Sequence, residues 1–332
     1  MSQNNSSQNK LKIAFYWAAS CGGCEIAVLD LNEKILDVVK LAAILFWPVA
    51  LDVKYKDVEA MPDKHIDITF FNGSIRNSEQ EHMAKLLRAK SKTLVAFGSC
   101  AHEGCVPGLA NLNDRNEIFE HVYLKGKSNI NPDKVIPKTE TKVKEGILKI
   151  PKFYDTVKTL AQTVDVDYYL PGCPPPVKLI ANAVEAIAQG ALPPKGSVLA
   201  PLKAVCDECP RTRQNKKIHQ IFRVYEKTPE PERCLMEQGI ICMGLATRSG
   251  CGAQCLKVDM PCTGCGGAAP NQPEVGAGMI TALASILGLD KEPGQYTDDD
   301  VAMLMNQIID PVGTFYMYSL PASILRRKVM KQ

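Results

Sequence analysis

Apolar residues in the first half of the chain fall into short continuous runs separated by amphipathic stretches. "KIAFYW" (12–17), "IDITFFNGS" (66–74) and "TLVAFGS" (93–99) have the length and β-branched or aromatic content of buried strands. Between them, "EIAVLDLNEKILDVVK" (25–40) and Ser78 to Lys90 repeat their apolar positions at helical spacing. The order is βαβ. A last unit follows, with a helix near 152–164, the strand "VDYYLPG", and "PPVKLIANAVEAIAQG", whose prolines suit a helix start and whose Gly190 suits its end. This predicts an α/β fold: a flavodoxin-like parallel sheet of about four strands with helices on both faces.

The periodicity fails in two places. Residues 121–150 are polar and punctuated by proline, which predicts an extended surface arm. Near Pro193 to Lys195 the composition changes, and "ALPPKGSVLAPLKAV" reads as a linker. Helical signal then stays thin until "GAGMITALASILGL", so residues 200–275 need something other than an apolar core to hold them. The expected organisation is a disordered tail (1–10), a flavodoxin-like domain (11–195) and an irregular C-terminal domain (196–332).

Composition narrows the function classes. At 332 residues, 45% hydrophobic, 23% charged and a formal charge of +3 without a basic block, nothing calls for nucleic acid or an anionic membrane. "MSQNNSSQNK" lacks the apolar core of a secretory signal, which predicts a cytoplasmic chain. The longest apolar stretch, Leu41 to Leu51, is interrupted by Pro48 and falls short of the ~20 residues of a membrane span. In a reducing compartment, the thirteen cysteines point to metal ligation rather than disulfides.

Their placement is informative. In open parallel sheets a ligand sits beyond the carboxyl ends of the strands. Cys21 and Cys24 follow the first strand, Cys100 follows "LVAFGS", and Cys173 follows "YYLPG", so converging loops would present four thiolates, the usual holder of a cubane iron-sulfur cluster. "SCGGC" also stands where a flavin-binding domain would offer a hydroxyl-rich phosphate loop. The C-terminal segment adds Cys206 and Cys209, Cys234 and Cys242, Cys251 and Cys255, and Cys262 and Cys265: in chain order, two further sets of four. A zinc ribbon would use the 206/209 and 262/265 pairs but leave the thiols between them without a role. Three clusters without an evident substrate pocket describe an electron wire.

The motifs resemble the small subunit of a [NiFe] hydrogenase. "SCGGCE", "FGSCAHEGCVPGLANL" and "PGCPPP" match that family's proximal-cluster loops; "CDECPR", "CLMEQGIICMGLATRSGCGAQC", "PCTGCGG" and "DPVGTFYMYSLPASIL" are similar to its cytoplasmic methyl-viologen-reducing type, which works beside heterodisulfide reductase. The resemblance runs from about residue 11 to 328. It implies three [4Fe-4S] clusters: proximal on Cys21, Cys24, Cys100 and Cys173; medial on Cys251, Cys255, Cys262 and Cys265; distal on Cys206, Cys209, Cys234 and Cys242. It also implies a nickel-iron site confined to a partner large subunit, an iron-sulfur acceptor subunit linked to heterodisulfide reductase, and an oxidoreductase role without substrate chemistry on this chain. The related wire of a complex I-like assembly, or of an assembly without hydrogen chemistry, is the alternative. A zinc scaffold is the reading from outside the class.

Some residues lie outside this scheme. Cys105 is a thiol five positions after a ligand and His102 an imidazole beside it. Either a free buried cysteine and a surface histidine, or groups that tune the proximal cluster, would account for them. Glu25 fits a proton carrier or a helix-start carboxylate. His219 suits an exposed helix face, Trp17 and Trp47 core or interface anchors.

Overall fold

In the computed structural model, which describes residues 10–288 and 297–328, the apolar runs become the strands of one parallel sheet. Its strands are β1 (Leu11–Trp17), β2 (Ala42–Phe46), β3 (Ile66–Asn72), β4 (Ser91–Phe97) and β5 (Tyr168–Leu170), arranged in the order β2-β1-β3-β4-β5. Side chains alternate between its faces. Phe15, Phe70, Val95 and Tyr168 lie in register on one face and pack against Val28, Ile180 and Ala183 of the helices Gly23–Leu29 and Val177–Ala188. Tyr16, Phe71 and Ala96 point to the other face, covered by Val58, Met83 and Leu87 of the helices Tyr55–Ala60 and Ser78–Lys90. Burial of each large side chain contributes about 1.5–3 kcal/mol, so a strand apolar on both sides requires helices on both sides. The flavodoxin-like α/β expectation holds.

The helix Ser78–Lys90 shows how local sequence sets an element. Asn77 accepts the Gln80 N–H at 2.9 Å and donates its own N–H to the Gln80 side chain at 3.2 Å, a reciprocal cap. At the other end Arg88 reaches Asp167 at 2.6 Å, and that carboxylate also accepts the Leu94 N–H at 2.8 Å. One helix end is thereby fastened to β4 and to the loop before β5.

Several expectations need correction. The sheet has five strands, the additional one being β2, which the preceding helix Ile35–Leu41 enters without an intervening turn. The expected helix over 25–40 is broken after Leu29, where Asn32 turns left-handed (φ 52°). The expected helix near 152–164 is instead a strand, Phe153–Lys158, paired antiparallel with Ile75–Asn77. "FYDTVK" is rich in aromatic and β-branched residues, and the buried Asn111 amide both accepts from and donates to Val157. The arm at 121–150 is exposed, but it contains a turn of helix (Glu120–Lys125) and a hairpin of Glu140–Val143 with Gly146–Lys149.

Beyond residue 190 regular structure thins. The helix Val275–Ile286 anchors a third apolar cluster in which Val205, Ile240, Met243 and Leu256 interleave with Cys242 and Cys262. Contrary to expectation, this region does have an apolar core, threaded between its thiols. The last described residues return to the sheet domain: Cys105 donates its N–H to the Tyr318 carbonyl at 2.9 Å, and Lys328 to that of Asn111. A Cβ on Gly108 would lie 2.3 Å from Pro321 Cγ, which explains the glycine. The expected disordered tail lies, apart from Lys10, outside the described residues.

Candidate functional site

The loops beyond β1, β4 and β5 bring Cys21, Cys24, Cys100 and Cys173 to the carboxyl edge of the sheet, the first and last exposed and the others buried. Close approach explains the local glycines. Gly98 has φ 84°, and a Cβ there would lie 2.3 Å from Cys24 Sγ; Gly22 has φ 79°, and its Cβ would meet the Trp17 ring at 2.8 Å. Burial, then the charge of Cys173, pushes the Cys24 thiol far above its usual range. A free thiolate is disfavoured there, whereas a thiolate neutralised by bound iron is not.

Cys105 belongs to this group in space. It is buried, its Sγ stands 3.6 Å from that of Cys173, and it adopts φ 50°. His102 does not face solvent as a surface histidine would. Its ring lies 4.8 Å from that of Tyr169, its Nδ1 is buried without a partner among the described residues, and a Cβ on Gly267 would be 3.3 Å from its Cε1. It therefore stands between the first thiol set and the Cys265 loop. Burial, reinforced by Arg248, lowers it to about 4. The neighbouring Glu103 is buried too, and desolvation raises it to about 8. Glu25 is likewise buried, receiving the Trp47 indole N–H at 2.6 Å. Desolvation raises it and the Trp47 bond opposes the rise. Trp47 thus holds Glu25 from the core, while Trp17 is 41% exposed beside the Cys21 loop.

Cys251, Cys255, Cys262 and Cys265 line a cavity of about 310 Å³ that Cys173 also borders. Cys206, Cys209, Cys234 and Cys242 line another of about 360 Å³, together with Arg211, Arg213, Lys216, Lys217 and Glu237. Among the described residues, no three His, Cys, Asp or Glu side chains close on a point suited to a single ion. Each cavity exceeds the ~30 Å³ that one water occupies by about tenfold, room for a polynuclear group. Backbone N–H groups point at the sulfurs: Gly23 to Cys21 at 3.4 Å, Cys262 to Cys242 at 3.3 Å, and Gly264 to Cys262. Such donors stabilise sulfur that carries negative charge. In donor type and hydrogen bonding the three sets, and in space the two C-terminal ones, fit iron-sulfur clusters.

Contacts connect one set to the next. Cys173 borders the cavity that Cys265 lines, and the Cys262 backbone N–H donates to Cys242 at 3.3 Å. Burial, followed by the nearby Cys251 charge, raises Cys265 to about 11, and burial raises Cys242 to about 12. Burial raises Cys206, while the charge of the nearby Arg213 guanidinium opposes it.

Three supporting residues were not singled out from the sequence. Glu208, inside the Cys206–Cys209 turn, accepts the N–H groups of Gly250 (3.1 Å) and Gly252 (2.9 Å) beside Cys251, bracing one thiol loop from another. Glu237 accepts the N–H groups of Gln214 (2.7 Å) and Asn215 (2.7 Å), and with it Arg213 completes the three. Their only sequence signal is a charged residue within or near a cysteine pair. His219 is exposed, but on a non-helical segment rather than a helix face.

Residues 21–187 match the family described as NADH ubiquinone oxidoreductase, 20 Kd subunit. The iron-sulfur subunit of the F420-non-reducing hydrogenase of Archaeoglobus profundus is 43% identical over 331 residues, covering 97% of this chain and 99% of the relative. A subunit of the F420-non-reducing hydrogenase of Methanothermobacter thermautotrophicus is 35% identical over 326 residues, 97% of this chain and 98% of its own. Among solved structures, a chain of an NAD+-reducing [NiFe]-hydrogenase in the H2-reduced state aligns with 55% of this chain and 94% of its own, at 26% identity and a TM-score of 0.48.

Proposed function

The chain belongs to the NADH ubiquinone oxidoreductase 20 Kd subunit family and, within it, to the hydrogenase small subunits, and from that premise we propose that it is the electron wire of its complex. As a small subunit it is an oxidoreductase component that works with a large subunit and carries iron-sulfur clusters. In this reading a [4Fe-4S] cluster is held by each cysteine set: proximal on Cys21, Cys24, Cys100 and Cys173, medial on Cys251, Cys255, Cys262 and Cys265, distal on Cys206, Cys209, Cys234 and Cys242. Such clusters supply one-electron transfer when bound.

The observation that carries the reading is that Cys173 of the first set borders the cavity lined by Cys251, Cys255, Cys262 and Cys265, while the Cys262 N–H donates to Cys242 of the remaining set, which supports three neighbours in series. The residues of the chain do the rest. Phe97, Leu179, Met243 and Leu256 exclude water, and the backbone donors hold each sulfur in place. Trp17, Ile26 and Leu29 expose apolar surface around the exposed Cys21. The large subunit, with its nickel-iron site, covers that face. An iron-sulfur acceptor linked to heterodisulfide reductase docks at the distal end. The division at residue 195 separates the one-cluster unit from the two-cluster unit.

The proposed setting is cytoplasmic. No helix among the described residues is long and apolar enough to cross a membrane.

Replacing Cys209 by Ser in the assembled complex tests the wire. The expected result is loss or conversion of the distal signal in electron paramagnetic resonance, retention of the proximal and medial signals, and at least a tenfold slower hydrogen-driven reduction of the acceptor. An unchanged distal signal, or loss of all three together with the fold intact, would refute the assignment. Hydrogen uptake by the unmodified complex separates this function from a wire whose partner lacks nickel.

A further inference from the structure

The charged surroundings of the thiol sets are unequal. The cavity of the medial set is lined by one acid and one base, Asp30 and Arg248. That of the distal set is lined by Arg211, Arg213, Lys216 and Lys217 against Glu237 alone. Much of this charge is already engaged. Arg211 is buried, paired with Asp259 and donating to the carbonyls of Glu230 and Arg233. Lys217 donates to the Ser285 carbonyl at 2.6 Å, and Glu237 is occupied by two backbone amides. Arg213 and Lys216 are the cations left at the cavity lining, and the Arg213 charge is the one that acts on Cys206.

Its loop is built to keep it there. On one side Thr212 donates its N–H to the Glu232 carbonyl at 2.7 Å, while the Cys234 N–H donates back to Thr212 at 2.8 Å. On the other side Glu237 takes the amides of Gln214 and Asn215, and Asn215 adopts the left-handed conformation (φ 56°) that closes the turn. Two residues flanking Arg213 are thus tied to the segment carrying Cys234 and Cys242. The arrangement sets Arg213 at the cavity lining although the residue is otherwise exposed.

We propose that Arg213 sets the reduction potential of the distal cluster, holding it above the value its four thiolates alone would give and so making the exit of the wire the place where electrons collect. The inference rests on the assignment of Cys206, Cys209, Cys234 and Cys242 as iron ligands. The physics is simple. Each electron reaching the site adds one negative charge, and a cation held beside a ligand sulfur favours the reduced form over the oxidised one. No proton need move, because a guanidinium stays charged throughout. Glu237 is a positioning residue acting through the loop amides. Because Arg213 is itself exposed, salt screens its effect.

The test is a redox titration of the purified hydrogenase complex followed by electron paramagnetic resonance, comparing native protein with Arg213→Gln and Arg213→Lys. The expected result for Arg213→Gln is a distal midpoint shifted to more negative potential, with proximal and medial midpoints unmoved. Arg213→Lys should restore most of the shift, and the gap between native and Arg213→Gln should narrow as ionic strength rises. An intact distal signal with an unchanged midpoint in Arg213→Gln would overturn the proposal. So would loss of the distal signal in both variants, which would make the side chain a structural prop. Loss in Arg213→Gln with retention in Arg213→Lys would support a requirement for the charge. Absence of any distal signal in the native complex would instead defeat the ligand assignment beneath it.

Discussion

Half-buried His102 and buried Glu103 are adjacent groups whose protonation shifts in opposite senses, and together they make a pH dependence that can be worked out. Desolvation, reinforced by Arg248, lowers His102 from 6.5 to about 4, so the unfolded chain binds the extra proton between those values and stability rises with pH there. Desolvation raises Glu103 from 4.5 to about 8, opposed by the Ala268 N–H and Arg248, so the folded chain holds the extra proton and stability falls as pH rises through that window. The two effects nearly cancel up to about 6.5, leaving Glu103 alone from there to about 8. One proton over that interval corresponds to roughly 2 kcal/mol. The native protein should therefore unfold at lower denaturant at pH 8.5 than at pH 6.5, and Glu103→Gln should flatten the difference. An equal fall in the variant would contradict the assignment. None of this was legible in "AHEGC", because burial is decided by the Gly267 loop more than a hundred residues away. The cysteines could be singled out because a thiol declares its chemistry by type, and pairing them in chain order names the same residues that line the two C-terminal cavities.

At the scale of elements, the sheet was readable and the connections less so. β1, β3 and β4 are apolar on both faces and bounded by turn residues, a pattern few alternatives share. β2 escaped because "KLAAILFWPV" runs from helix to strand with no glycine or proline at the junction. Phe153–Lys158 escaped because its partner is the distant strand Ile75–Asn77, and short amphipathic runs take the structure their neighbours offer. The glycines between elements carry a sharper expectation. Gly98→Ala adds a Cβ 2.3 Å from Cys24 Sγ at φ 84°, a strain on the order of 2 kcal/mol that only movement of the thiol relieves. The purified variant should lose the proximal signal and keep the medial and distal ones. Retention of all three would show that Cys24 is not held against that glycine. Glu208→Gln should act in the same way on the neighbouring loop, weakening the carboxylate bonds to the Gly250 and Gly252 amides and broadening the medial signal ahead of the distal one.

At the scale of the whole molecule, three thiol sets lie in sequence between an apolar face around Trp17 and Ile26 and a cationic mouth around Arg213 and Lys216. The first face suits permanent burial against a large subunit, the second a charged and reversible contact. If each set holds a cluster, the cations at that mouth would favour electrons gathering there, an asymmetry that cysteine spacing alone does not supply. The most direct test of the central claim is the iron and acid-labile sulfide content of the anaerobically purified, fully reconstituted chain. About twelve of each per polypeptide are expected, four for every set of cysteines. Zinc without sulfide, or iron sufficient for only one set, would contradict it.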